Sequence, residues 1–287
     1  MFDVASLSET TVPVHQRAVG ALRVSFKRRG DVTVLDEFYQ SGCLKARLPR
    51  TPGTEWTTAV TLNTSGGIAG GDRLSLDFAA GPGTSATVTA QAAERFYRSV
   101  VGGAPSSVVS RIAVADGARF EWLPQETILF DRCDLARRLE VDLAPNVWFL
   151  GVESLVFGRA AMGEVVHTGS VRDLIRVRRG DELLLHDAIR LDGEISAALG
   201  RPAIGNGARA MATVVHVAPG GESLRDGLRE ALTACDVRSS LEIGVSAWNG
   251  MLIARILAAD SAVLRRAVIA GLAVLRGTRP LPRVWQC

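Results

Sequence analysis

The sequence of 287 residues predicts a mostly β, layered, β-helix-like fold with about two α-helices in its C-terminal third. Three observations support this prediction. Short alternating or β-branched runs, such as "ALRVSF" and "TTAVTL", fill the first two-thirds of the chain and are typical of half-buried strands. A strand–turn–strand unit recurs among them. Apolar residues at helical spacing are confined to the segment after residue 220.

The recurring unit appears as "LSLDFAAGPGTSATVTAQ", "SRIAVADGARFEWLPQ" and "RLEVDLAPNVWFLGVE". Each copy is too small to bury its own apolar face, so neighbouring copies must cover it. The pattern predicts stacked β layers and fits a β-solenoid and an antiparallel sandwich equally well. Further strands are expected in "DLIRVRRGDELLLHDAIRL" and "RAMATVVHV".

The C-terminal third contains both predicted helices. "ESLRDGLREALTAC" has helical spacing, and "DSAVLRRAVIAGLAVLRG" runs from an N-cap at Asp260 or Ser261 to Gly277. Between them, "LEIGVSAWNGMLIARIL" is expected to form a hairpin, because Asn249-Gly250 suits a type I′ turn. No low-complexity linker interrupts the chain, so we expect a single domain over residues 1–287, with residues 1–16 poorly ordered.

Composition excludes several classes of partner. The start of the chain does not read as a signal peptide and no apolar run approaches a membrane span, so we expect a cytoplasmic protein without a membrane partner. The basic clusters "KRRG" and "RVRRGDE" lack interleaved aromatic residues, which argues against a nucleic-acid partner. The four cysteines are far apart and are expected to be reduced.

A glycine cluster lies in "LNTSGGIAGGDRLSLDF", residues 62–78. A phosphate-binding loop needs Lys and Ser/Thr after its last glycine, but here Asp72 follows. The cluster is therefore predicted to be a structural turn that allows positive φ and close chain approach. Its members are Gly66, Gly67, Gly70 and Gly71. We expect no nucleotide and no small-molecule substrate.

Histidines and serines fall in no catalytic motif, so no catalytic residues are predicted. Carboxylates at strand ends in apolar surroundings are more informative. Stacking of the repeats would align Gln91, Gln125 and Glu153 in an internal polar row, with Glu94 and Glu126 close by. Two interpretations remain open: these side chains satisfy turn amides, or they form a hydrated path for a cation. A path for a cation needs weak oxygen ligands, because a tight site would not release the cation. The candidates are Asp72, Glu94, Glu126, Glu153 and Asp187.

At these same residues the sequence resembles a known family. The segments "LNTSGGIAGGDRL", "QAAERFYRS", "EWLPQETILFD", "FGRAAMGE" and "LPRVW" are similar to those of the urease accessory protein UreD, called UreH in some bacteria. The similarity covers residues 17 to 285 in the family's order.

The resemblance implies a protein that is not an enzyme. It would bind urease apoprotein, recruit the accessory protein UreF and through it the GTPase UreG, and help to install nickel in urease. It implies a β-helix-like layered fold with a pair of helices, no tightly bound cofactor, and an internal tunnel in which nickel is in transit. Two other classes compete with this reading: a carboxylate-dependent β-solenoid hydrolase or lyase, and a purely structural scaffold.

Overall fold

The computed structural model describes residues 16–49, 55–100, 102–159, 162–236 and 240–286. The N-terminal segment that we expect to be poorly ordered lies, except for its last residue, outside the described residues. The strands are β1 (Val19–Arg29), β2 (Val32–Gly42), β3 (Leu44–Arg47), β4 (Thr57–Asn63), β5 (Arg73–Ala80), β6 (Ser85–Ala90), β7 (Glu94–Phe96), β8 (Ser106–Val114), β9 (Arg119–Leu123), β10 (Thr127–Leu129), β11 (Asp134–Leu143), β12 (Trp148–Phe157), β13 (Thr168–Arg179), β14 (Glu182–Glu194), β15 (Ala210–Val217), β16 (Leu241–Trp248) and β17 (Met251–Ala258). The α-helices are α1 (Ile195–Leu199), α2 (Arg225–Thr233) and α3 (Ser261–Arg276).

The strands form two facing sheets. Sheet A has the order β14-β13-β11-β8-β5-β1-β2, and sheet B has the order β16-β17-β15-β12-β9-β6-β4-β3. The short strand β10 also pairs with β12, and β7 pairs with β10. Strands β5, β8, β11 and β13 are parallel neighbours in sheet A, as are β4, β6, β9 and β12 in sheet B. Antiparallel pairs flank both parallel cores. The prediction of a mostly β, layered fold is confirmed.

Each repeated strand–turn–strand unit carries the chain from sheet A to sheet B rather than forming a hairpin. Equivalent residues of the first two units are paired 34 positions apart, as in Thr87 and Glu121. Their turns stack as well. The amide of Gly83 donates to the carbonyl of Asp116 at 3.1 Å, and the amide of Gly117 donates to the carbonyl of Asn146 at 2.7 Å. The repeat in the sequence is therefore a stack of coils, as in a solenoid.

The central strands of sheet B, namely β6, β9, β12, β15 and β17, are buried on both faces. One face packs against sheet A around large apolar side chains such as Phe26, Phe120 and Phe149. The other packs against α2 and α3 through residues such as Leu150 and Leu264. Strand β12 is buried at nearly every position, which explains its almost continuous apolar sequence "WFLGVESLVF".

A buried charge network ties the helical layer to sheet B. Glu121 on β9 is fully buried and accepts hydrogen bonds from Thr87 Oγ1 at 2.6 Å, Arg276 Nε at 2.7 Å and Arg279 Nη2 at 2.7 Å. The C-terminal segment adds Trp285, whose Nε1 donates to the carbonyl of Leu123 at 3.1 Å. Burying these charges is tolerable because each is paired.

The C-terminal elements agree with their sequence signals. Asp260 caps α3 by accepting from the amide of Val263 at 2.9 Å, and Gly277 follows its last residue. Asn249 and Gly250 both have positive φ, 48° and 72°, in the hairpin between β16 and β17. Helix α1 was not predicted. Within the described residues, no helix combines the length and the apolar character needed to cross a bilayer.

Candidate functional site

A cavity of ≈230 Å³ lies between the two sheets, beside the glycine-rich turn that follows β4. Its apolar wall includes side chains of β5 and β8 from sheet A and the indole of Trp122 from sheet B. Polar groups reach it from Asn63, Gln91, Glu94, Gln125, Thr127, Arg137 and Glu153. Gln91 and Gln125, which the repeat predicted to align, both line this space. The cavity is thus an apolar chamber with convergent carboxylate, amide and guanidinium groups.

Glu94 begins β7 and lines the cavity near the turn. Asn63 Nδ2 donates to Glu94 Oε2 at 3.1 Å, and the amide of Arg95 donates to Oε1 at 3.2 Å. Burial raises the pKa of Glu94 above its ordinary value, although these two hydrogen bonds oppose the shift. The carboxylate is held mainly by neutral donors, which leaves its charge available to a cation entering the cavity.

Glu153 lies deeper, on β12, within a buried ion-pair network. Its Oε2 is 2.6 Å from Arg137 Nη1, and its Oε1 accepts from Trp122 Nε1 at 2.7 Å. Arg137 also donates to both carboxylate oxygens of Asp173, at 2.8 and 2.6 Å, and to Thr127 Oγ1 at 2.9 Å. Burial raises the pKa of Glu153, and the positive charge of Arg137 opposes that shift. One oxygen of Glu153 thus accepts a hydrogen bond from an indole, and the other forms an ion pair with a guanidinium.

A second, small cavity of ≈10 Å³ lies further along the interior, and Glu153 lines it as well. This volume corresponds to about one water-sized probe. The other walls include Leu139 and Ile175 of sheet A and Phe149 and Thr213 of sheet B. Glu153 therefore lies at the boundary between two internal spaces.

Of the five candidate carboxylates, all of which the structure describes, Glu94 and Glu153 line the larger cavity. Asp72 accepts from the backbone amides of Ala18 and Ala69, both at 2.8 Å, so it braces the turn. The other two are paired with arginines elsewhere. Glu126 is 2.8 Å from Arg265 of α3, and Asp187 is 2.7 Å from Arg255 of β17.

The glycine cluster has the backbone geometry of a tight turn. Gly66, Gly67 and Gly71 have φ values of 80°, 145° and 88°, in the region that side chains rarely adopt. Gly70 is different, because its φ is not positive. A Cβ there would lie 2.6 Å from Ser99 Oγ, so close approach is what requires glycine at this position.

The acidic, histidine and cysteine side chains are dispersed in the part of the chain that the structure describes. Among the described residues, no three His, Cys, Asp or Glu side chains form a group that could hold a metal ion. The described cysteines, Cys43, Cys133 and Cys235, are free thiols, and Cys287 lies outside the described residues. Burial raises the pKa of Cys133 to about 12, which keeps that thiol protonated and inert.

Arg137 and Asp173 were not among the residues selected from the sequence. A signal for them exists, because each interrupts the apolar face of its strand. Arg137 occupies an inward position between Leu135 and Leu139, and Asp173 does the same in β13. The two residues are direct neighbours in the register of β11 and β13. Opposite charges on the buried faces of adjacent strands would have predicted the pair.

Comparison with known proteins identifies similar chains over almost the whole length. Residues 18–286 match the family described as UreD urease accessory protein. The chain is 46% identical to the urease accessory protein UreD of Methylobacterium sp. strain 4-46, over 90% of both chains. It is 44% identical to the UreD protein of Xanthobacter autotrophicus strain Py2, over 98% of this chain and 94% of that one. It is 45% identical to that of Rhodopseudomonas palustris strain BisA53, with the same coverage.

Proposed function

Because the chain belongs to the UreD family of urease accessory proteins, we propose that it is the scaffold through which nickel reaches urease. It binds urease apoprotein, recruits UreF and through it the GTPase UreG, and conducts nickel through its interior in the cytoplasm. The relatives are named as accessory proteins rather than as enzymes, in agreement with the expected non-catalytic role.

The observation that supports conduction is the cavity with its two inward carboxylates. Nickel is a borderline cation that accepts carboxylate and water oxygen as well as imidazole and thiolate. Glu94 and Glu153 provide such oxygens at separate points of one cavity. Weak ligands at intervals allow a cation to be passed on, whereas a closed cage would retain it.

The alternative of a β-solenoid hydrolase or lyase fits this cavity poorly. An enzyme that acts on glycans needs exposed aromatic rings on which sugars stack. The aromatic rings in the cavity wall are Phe96 and Trp122, which are 2% and 5% exposed, and Trp122 donates its indole N–H to Glu153. Both rings are part of the interior, not of an open groove.

Substitution of the inward carboxylates tests the proposal. We expect Glu94→Gln and Glu153→Gln each to lower urease activation partially and the double variant to lower it roughly tenfold, by analogy with loss of metal-supporting groups. Glu94→Lys should be worse than Glu94→Gln, because an ammonium repels the cation and fills the cavity. The variants are co-expressed with urease and its other accessory proteins. Complex assembly, bound nickel and urea hydrolysis are then measured.

Asp187→Asn is the matched control, since Asp187 is also paired with an arginine but lies away from the cavity. It should assemble and activate urease like the unmodified protein. Full activation by the double variant and by Glu94→Lys, in complexes that assemble normally, would show that nickel does not take this path.

A further inference from the structure

The ion pair between Arg137 and Glu153 stands at the boundary of the two internal spaces. Arg137 and Glu153 both line the larger cavity, and Glu153 also lines the smaller one. The side chains of Arg137, Glu153 and Asp173 are 9%, 7% and 4% exposed. A cation that moves from the larger space toward the smaller one must pass this cluster.

The charges of the cluster do not cancel. One guanidinium faces two carboxylates, Glu153 at 2.6 Å and Asp173 through two hydrogen bonds. The planar fork of Arg137 satisfies both acids at once, which a single ammonium group cannot do. Charges buried this deeply are costly unless they are paired. Arg137 thus holds the position that a divalent cation between these two acids would otherwise take.

We propose that Arg137 is a resident cation that prevents Glu153 and Asp173 from closing around a passing divalent metal ion. This inference rests on the proposed conduction of nickel and names the residue that controls it. With Arg137 in place, the carboxylate of Glu153 is already paired with a guanidinium and is therefore a weak ligand for a metal ion. Without it, two buried carboxylates and the hydroxyl of Thr127 are left to share a positive charge, and hard oxygen ligands of this kind suit a divalent ion. Arg137 therefore favours release over retention.

Arg137→Gln provides the test, with nickel retention as its readout. The variant and the unmodified chain are each purified in complex with their accessory partners, loaded with nickel chloride, and dialysed against metal-free buffer. We expect Arg137→Gln to keep about one additional nickel ion per chain and to lose it at least tenfold more slowly. Urease activation by the same complexes should fall, because nickel that is retained is not delivered.

Arg276→Gln is the matched control. The side chain of Arg276 is also buried and paired with a carboxylate, Glu121, but it belongs to α3 and does not line the cavity. Its nickel retention should equal that of the unmodified chain. The double variant Arg137→Gln/Asp173→Asn leaves one buried carboxylate instead of two and should lose the additional nickel.

Retention by Arg137→Gln that does not exceed retention by Arg276→Gln overturns the proposal. If Arg137→Gln is recovered only as insoluble protein, Arg137→Met replaces it, since its side chain fills part of the same space but carries no charge. Slower nickel release than from the unmodified chain then supports the proposal, and unchanged release overturns it. The result is separable from the test of conduction, because retention is measured without urease. If Arg137→Gln retains more nickel while the Glu94 and Glu153 variants activate urease fully, only the proposed conduction of nickel is rejected.

Discussion

Replacing Glu121 with alanine should destabilise the protein by about 3–5 kcal/mol, the cost typical of leaving buried charges without their partner. Glu121 is fully buried, and its oxygens accept hydrogen bonds from Arg276, Arg279 and Thr87. Alanine would leave the guanidinium of Arg276, whose side chain is 4% exposed, without a counter-charge. Because the network joins sheet B to α3, the helical layer should loosen first.

The measurement is the free energy of unfolding in urea, together with amide hydrogen exchange of α3. Glu140→Ala is the control, since Glu140 also contacts three arginines but does so on the outer face of sheet A. Those arginines are about half exposed, and surface pairs contribute only about 0–1 kcal/mol. Equal losses for the two variants would contradict the assigned role of Glu121.

Valine at Gly70 or Gly71 should make the chain largely insoluble, for a different reason at each position. At Gly70 a Cβ would lie 2.6 Å from Ser99 Oγ and 2.8 Å from Ser99 Cβ, so the turn and the following loop must separate. At Gly71 the φ of 88° is one that a β-branched residue resists, at a cost of about 1–3 kcal/mol. The side chain of Arg17 is also 3.1 Å from the added Cβ.

The soluble fraction after expression with the accessory partners measures this effect. Gly66→Asn is the control, because a Cβ at Gly66 meets no atom within 4 Å and asparagine tolerates positive φ better than other residues do. It should remain mostly soluble. If Gly70→Val protein is soluble and activates urease fully, the close approach of Gly70 to Ser99 is not required.

The sequence predicted the positions of the strands better than it predicted which strands pair with one another in the sheets. Alternation shows which face of a strand is buried, and it correctly marked the repeated units. It does not show that the turns after Ala80 and Val114 lead to a second sheet instead of back along the first. Helix α1 escaped prediction because it has five residues and no side-chain cap. Helices of that length depend on packing, here through Ile195 and Leu199.

The candidate site was predicted in part for a related reason. The placement of carboxylates at strand ends in apolar surroundings selected Glu94 and Glu153, which line the cavity. The same signal also selected Glu126 and Asp187, whose arginine partners lie 139 and 68 residues away in sequence. A partner at such a distance is determined by the stacking of layers, which no local pattern encodes. Arg137 was not selected because only acidic side chains were considered as ligands. Its inward position can nevertheless be read from the alternation of β11.

The network around Glu121 has a consequence for synthesis of the chain on the ribosome. Glu121 is separated from Arg276 by 155 residues, and Arg276 lies close to the C-terminus. At about 5–20 residues per second, roughly 8–30 s pass between the translation of the two residues. During that interval the helical layer is incomplete. The apolar outer face of sheet B is then uncovered, and Glu121 lacks its arginine partners. The apolar outer face of sheet B is therefore exposed to misassociation in the nascent chain until α3 has been translated and has packed against it.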